Sequence, residues 1–272
     1  MQINASTEIY GIIGNPVVHS LSPIMHNSAF QALGLNKVYV AFPATNAEKA
    51  LAGCRALGVR GLSVTIPHKE TVLAHIDSID PLAEKIGAVN TLVFDDNKKI
   101  HGLNTDWIGA NRALADKIDL QGKRVLLLGA GGSAKAIGFG LLEAGAQVIL
   151  ASRTKSKVKT LAATLQCDWI HLADIETIKA DGLINATSVG MHPLENASLV
   201  PADRLGSFSV VMDIVYAPLE TRLLREAKDA GCEVINGFSM LLYQGVAQFE
   251  AWTGQDAPVE VMRAALMSMI SQ

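Results

Sequence analysis

A strand-like run, VLLL, leads straight into Gly129-Ala130-Gly131-Gly132-Ser133-Ala134, and SAKAIGFGLLEAG after it has helical periodicity. Glycines at this spacing suit a dinucleotide. The first makes a tight turn, the second lets the backbone approach the pyrophosphate, and the third position, here Ala134, keeps helix and strand close. The pyrophosphate then rests on the helix N-terminus, where free N–H groups and the helix dipole favour negative charge. About 20 residues past the first glycine, an NAD site offers a carboxylate to the ribose hydroxyls. This chain offers Ser152-Arg153-Thr154-Lys155-Ser156-Lys157 instead. A carboxylate there would repel a 2′-phosphate, whereas Arg153 and Lys157 pair with it and the hydroxyls of Ser152 and Thr154 donate hydrogen bonds. A tight βα turn and a solvated basic helix start would explain the two segments singly. Found together, they point to NADP.

Four short polar clusters precede that loop: His19-Ser20-Leu21-Ser22, Thr65-Ile66-Pro67-His68-Lys69, Gly87-Ala88-Val89-Asn90-Thr91 and Asn104-Thr105-Asp106. Lys69 lies just past a strand end, where ligands collect in open α/β sheets. All four are rich in hydrogen-bonding groups and suit a polyhydroxylated substrate rather than a metal. Each also has a purely structural explanation. Ser22 is a good N-cap, with Pro23 at the first helical position. Lys69 reads equally as a solvated lysine, Asn90 as a turn residue and Asp106 as an N-cap. His19, His26 and His68 show neither Ser/His/Asp nor metal-ligand spacing. Residue types and spacing alone give an NADP-binding enzyme acting on an unnamed small polar molecule.

The elements that must carry these residues alternate along the chain, which argues for an α/β protein. EIYGIIG (8–14), KVYVAFP (37–43) and GLSVTIP (61–67) predict strands. Helices are predicted from Ser22-Pro23 to Gly34 and over 46–57, and AVNTLVFD (88–95) with KKIHGLNTD (98–106) predicts a hairpin. After a helix over 107–116 come the strand–turn–helix–strand unit 123–154, strands in 181–188 and 209–216, a helix through 219–230, a strand at 232–236 and a helical tail. Two domains are expected: a substrate domain over 1–101 with a mostly parallel sheet, and a Rossmann-like NADP-binding domain over 102–236. Helices over 237–272 are expected to return to the first domain.

Composition narrows the partners. The 272 residues carry 23 Lys+Arg against 26 Asp+Glu, a net charge of −3, and 49% are hydrophobic. Such a chain buries a core, and it lacks the basic footprint of a nucleic-acid binder. Residues 9–36 are uncharged, but Asn15, Pro16, His19, Ser20, Ser22, Pro23, His26 and Asn27 within them do not suit a membrane span. No basic residue precedes the first apolar stretch, so no secretory signal is expected. Three scattered cysteines, Cys54, Cys167 and Cys232, read as reduced thiols. A cytoplasmic enzyme is expected, with a homodimer left open.

Taken together, IIGNPVVHSLSPIMHN, GLSVTIPHK, GAVNTL, GLNTDWIG, LGAGGSAKAI, SRTKSK, INATSVGM, DIVYAPLET and NGFSMLLYQG, in this order, resemble the shikimate dehydrogenase family over essentially the full chain. The resemblance implies reversible NADPH-dependent reduction of 3-dehydroshikimate to shikimate, a step in aromatic amino-acid biosynthesis. It also implies a two-domain α/β fold with the active site in a cleft between the domains. Carried onto this sequence, it implies Lys69 and Asp106 as the catalytic pair. Ser20, Ser22 and Tyr216 would hold the substrate carboxylate, and Thr65, Asn90 and Gln244 the ring hydroxyls. Gly129, Ala130, Gly131, Gly132 and Ser133, with Ser152, Arg153, Thr154 and Lys157, would hold NADP, and Ile214 and Gly237 would line the nicotinamide pocket. Two positions depart from the family pattern: Ser152 stands where Asn is usual, and Ser239 where Gly is usual. A relative that also accepts quinate or NAD is the alternative enzyme, and a non-catalytic NADP sensor the alternative of another class. Retention of Lys69, Asp106, Asn90 and Gln244 argues against the sensor.

Overall fold

The computed structural model describes residues 3–270, which form two compact units. Unit 1 comprises the residues up to Thr105 and those from Gln244 onward; unit 2 is Asp106–Tyr243. The sequence pattern puts the divisions at 101/102 and 236/237. In the structure Asn104 and Thr105 bond back to Ala88 and Asn90, which keeps them with unit 1. The second division falls inside a helix.

Unit 1 opens with β1 (Glu8–Gly14), α1 (Ser22–Ala32), β2 (Lys37–Pro43), α2 (Ala47–Ala56) and β3 (Gly61–Val64). It continues through β4 (Ser78–Ile79), α3 (Pro81–Ile86), β5 (Thr91–Phe94) and β6 (Ile100–Leu103). The sheet runs β2-β1-β3-β5-β6-β4. β1 pairs parallel with β2 and β3, and β4 with β6, while β5 pairs antiparallel with β3 and β6. The antiparallel β5–β6 hairpin delivers Asn90 and Thr105 to the same end of the sheet. β3 stops at Val64 rather than running to Pro67, because His68 N–H closes a turn on the Thr65 carbonyl at 2.9 Å. The core includes Ile13, Leu62, Val64, Val89, Leu92 and Ile100, all buried.

Unit 2 follows a βα rhythm: α4 (Asp106–Ala115), β7 (Arg124–Leu128), α5 (Gly132–Glu143), β8 (Gln147–Ser152), α6 (Lys155–Leu165), β9 (Asp168–His171), β10 (Gly182–Asn185), α7 (Ala202–Leu205), β11 (Val210–Asp213), α8 (Arg222–Asp229) and β12 (Glu233–Ile235). All five strand pairings in the order β12-β11-β10-β7-β8-β9 are parallel. The order reverses at β7, where β8 lies on one side and β10 on the other, and such switch points are where ligands bind in open α/β sheets. α9 (Gly237–Thr253) starts in unit 2 and ends in unit 1, and α10 (Val259–Ile270) completes unit 1.

Candidate functional site

Within unit 1 the predicted polar residues gather at strand ends and at the start of α1. Ser22 is not the N-cap that its position before Pro23 suggests. Leu21 occupies the cap and offers no side-chain bond, while Ser22 is the first helical residue. The reason is Ser20, whose hydroxyl already accepts the Ser22 N–H at 3.2 Å. The Ser22 hydroxyl is thereby released from capping. It lies instead against the Tyr39 phenol, whose acidity burial weakens and whose bonds to Ser63 and Ser22 partly restore it.

Thr65 leaves β3 with its N–H on the Ile13 carbonyl at 3.0 Å, and Lys69 follows four residues later, half-buried. The Lys69 carbonyl accepts Val89 N–H at 2.8 Å, which ties the lysine turn to the Asn90 segment. Asn90 is buried, and its side-chain oxygen accepts Thr105 N–H at 2.7 Å and the Thr91 hydroxyl at 2.8 Å. Its amide donates to the Thr105 hydroxyl at 3.1 Å and to Gln244 Oε1 at 3.5 Å. Two predicted substrate residues, 154 positions apart, are therefore in contact. Asp106 follows Thr105 directly and begins α4, half-buried.

Three buried partners behind this cluster escape sequence reasoning. Gln248 donates to the Asn90 carbonyl at 3.2 Å and to the Thr91 hydroxyl at 3.0 Å, and accepts from Ser63 at 2.9 Å. Ser63 in turn accepts from Tyr39 at 2.6 Å. One signal for Gln248 existed: it lies four residues after Gln244, on the same face of a helix. His68 and His26 are buried in the packing of unit 1. His68 is buried with Nε2 2.6 Å from the Ala44 carbonyl. His26 stacks on Tyr39 at 4.6 Å, and neither ring nitrogen has a hydrogen-bond partner. Burial holds its imidazole down at about 3, with Gln248 alongside opposing the shift. His19 is exposed.

The glycine loop of unit 2 sits at the switch point. Gly129 has φ +121°, favourable only to glycine, and a Cβ there would come 2.9 Å from the Ala186 carbonyl oxygen. Gly131 and Gly132 are different: both are exposed, and a Cβ at either would meet nothing within 4 Å. Packing within the fold therefore does not demand glycine at those two positions. Ala130 and Ser133 flank them, half-buried, with Ser133 in the first turn of α5. Gly129 N–H bonds the Ala151 carbonyl at 2.8 Å, which sets the loop beside the end of β8.

There Ser152 accepts Thr154 N–H at 3.3 Å, and Arg153, Thr154 and Lys157 stand exposed. Among the described residues, Arg153 and Lys157 enter no ion pair, so the basic cluster carries no counter-charge of its own. Across the switch, Ile214 follows β11 half-buried and Tyr216 is 44% exposed. Gly237 opens α9 against the Ile214 and Val215 backbone, where its Cβ would lie 2.7 Å from the Val215 carbonyl carbon. The Ser239 hydroxyl does not project freely from that turn, but folds back onto Asn236 Oδ1 at 3.3 Å.

One further constellation was not expected. On the parallel β4–β6 pairing, Ser78 Oγ lies 2.5 Å from His101 Nδ1, and His101 Nε2 lies 3.2 Å from Asp95 Oδ2. The register of the two strands accounts for it, since Ser78 and His101 are direct partners. Among the described residues no cluster could hold a metal ion, and no helix is long and apolar enough to cross a membrane.

Three stretches of the chain match models of known families. Residues 12–92 match the shikimate dehydrogenase substrate binding domain, 111–217 match shikimate / quinate 5-dehydrogenase, and 237–267 match the shikimate 5'-dehydrogenase C-terminal domain. The shikimate dehydrogenase (NADP(+)) of Methanosarcina acetivorans is 44% identical, over 96% of this chain and 98% of that protein. A crystal structure of a shikimate dehydrogenase in complex with NADP+ superposes with a TM-score of 0.94 at 42% identity, covering 100% of this chain and 98% of that one. The Thermus thermophilus enzyme in complex with NADP(H) and shikimate gives 0.89 at 38% identity, covering 96% and 99%. With these matches over its full length, and with the polar cluster and glycine loop just described, the chain belongs to the shikimate dehydrogenase family.

Proposed function

We propose that this protein catalyses the reversible NADPH-dependent reduction of 3-dehydroshikimate to shikimate, within aromatic amino-acid biosynthesis. The observation that carries the reading is the convergence in unit 1 of Lys69, Asn90 and Gln244 from three distant parts of the chain. Gly129 to Ser133 cradle the pyrophosphate, Arg153 and Lys157 pair with the 2′-phosphate, and Ser152 and Thr154 bond it. Ile214 and Gly237 line the nicotinamide. Bound NADPH supplies the hydride that arrives at the ring ketone carbon.

The chain's own residues handle position and proton. Ser20, Ser22 and Tyr216 hold the substrate carboxylate, and Thr65, Asn90 and Gln244 hold the ring hydroxyls. Lys69 Nζ gives a proton to the ketone oxygen as negative charge develops there, and takes it back in the oxidising direction. Asp106 orients that ammonium and binds a ring hydroxyl. The free thiols of Cys54, Cys167 and Cys232 support a cytoplasmic setting.

The test is absorbance of reduced nicotinamide with shikimate or quinate, each paired with NADP or NAD. Rapid NADP reduction with shikimate alone is expected. Comparable rates with quinate or NAD would identify the broader-range relative. No activity with any pair, with NADP binding intact, would overturn the reading in favour of a sensor.

A further inference from the structure

Asp213 ends β11 with its side chain wholly buried, and none of the chemistry above employs it. Its Oδ1 accepts Asn185 Nδ2 and Val215 N–H, each at 3.0 Å, and its Oδ2 accepts the Thr221 hydroxyl at 2.7 Å. Asn185 is its register partner at the end of β10. The oxygen of that amide accepts Thr187 N–H at 3.1 Å and the Thr187 hydroxyl at 2.7 Å, and its nitrogen also donates to the Val189 carbonyl at 3.0 Å. Thr221 caps α8 with the same hydroxyl that it gives to Asp213. Gly190 passes over this group at φ +102°, where a Cβ would sit 3.2 Å from the Thr221 methyl and 3.7 Å from Asp213 Oδ2.

Two buried side chains thus fasten the ends of two neighbouring strands, the loops 187–190 and 214–216, and the start of α8. Burial pushes its pKa up to about 6 despite three hydrogen bonds, so ionised Asp213 is held at a cost.

We propose that Asp213 is a positioning residue: with Asn185 and Thr221 it locks segments 187–190 and 214–216 together, and so sets Ile214 against the nicotinamide and Tyr216 against the substrate carboxylate. The proposal rests on the roles given to Ile214 and Tyr216 under the functional reading. The pyrophosphate and 2′-phosphate contacts lie on other strand ends, so affinity for NADP should be largely spared. Misplacing groups around reacting atoms costs orders of magnitude in rate even where binding survives.

The experiment compares D213A, D213N and T221V with the wild type by kcat, KM for shikimate, KM for NADP, and hydrogen exchange in segments 185–191 and 212–217. D213A is expected to lower kcat about 30-fold, raise KM for shikimate, leave KM for NADP within about threefold, and exchange faster in both segments. D213N keeps the shape, accepts through its oxygen and donates to Thr221, so it should restore kcat to within about threefold of wild type. T221V should fall between, at about fivefold.

D213A with normal turnover and exchange overturns the proposal, as does D213N no better than D213A. If D213A does not fold, T221V with wild-type kcat and exchange is the overturning result. A wild type that does not oxidise shikimate overturns the functional reading separately, while exchange in D213A still shows whether Asp213 holds the two segments.

Discussion

A proton must reach the ketone oxygen as hydride reaches the neighbouring carbon, and Lys69 is the group assigned to give it. K69A should lower kcat by about 10²–10⁴-fold while leaving KM for NADP near its wild-type value, measured by steady-state kinetics of the folded variant. Arg153 makes a complementary case at the other end of the cofactor. Removing an exposed cation that pairs with a phosphate should raise KM for NADP about tenfold or more and leave KM for shikimate unchanged, so R153A turning over with unaltered KM for NADP would refute the 2′-phosphate assignment. At this scale the sequence offers Asn90 as an amide in an apolar run and Lys69 just past a strand end, each with a structural explanation beside it, and Gln244 enters only through the family resemblance. What was not legible is how long-range contacts redistribute bonds. Ser22 looks like a cap until Ser20 is seen to take the Ser22 N–H, and Gln248 looks like any helix residue until Asn90, Thr91 and Ser63 are found on it.

The glycine loop shows how an element separates folding from binding demands. Gly129 is held left-handed against the Ala186 carbonyl, so G129A should destabilise unit 2 by about 1–2 kcal/mol or more, read as a lower unfolding temperature. Gly131 has φ −98° and open space above it. G131A should therefore unfold like the wild type yet raise KM for NADP about tenfold, through a methyl set where the pyrophosphate must approach. Equal unfolding temperatures for both variants would undo this distinction. The strands β1, β2, β7 and β8 were readable because their apolar runs end in glycine, proline or basic residues. Two others were not: β4 has only two residues, and β9, Asp168–His171, is an edge strand with no buried residue. Short or unburied strands leave no periodic apolar signature; their partners define them.

At the scale of the whole molecule, the two units should respond oppositely to acid. His26 in unit 1 has its pKa held down at about 3 against 6.5 for a free imidazole, so stability present above pH 6.5 is lost as pH falls towards 3. Asp213 in unit 2 is raised from 3.8 to about 6, so its contribution runs the other way, with stability gained as pH falls from about 6 to 3.8. Calorimetry between pH 7 and 4.5 should show the transition of unit 1 moving down relative to that of unit 2, with hydrogen exchange assigning each; transitions that shift together would contradict it. The two-unit plan was legible from the change of texture near residue 102, but the second division was not, since α9 carries no break where it passes from one unit to the other. That continuity matters when the chain is made. During synthesis the nucleotide unit can close as soon as residue 243 has emerged. The substrate unit, begun first, must wait for Gln248 to reach Asn90 and for the Trp252 indole N–H to reach the Leu92 carbonyl at 3.0 Å. The unit begun first is thus the last to be completed, and until α9 arrives its sheet lacks the partners that Gln248 and Trp252 supply, the kind of transiently uncovered surface that invites aggregation.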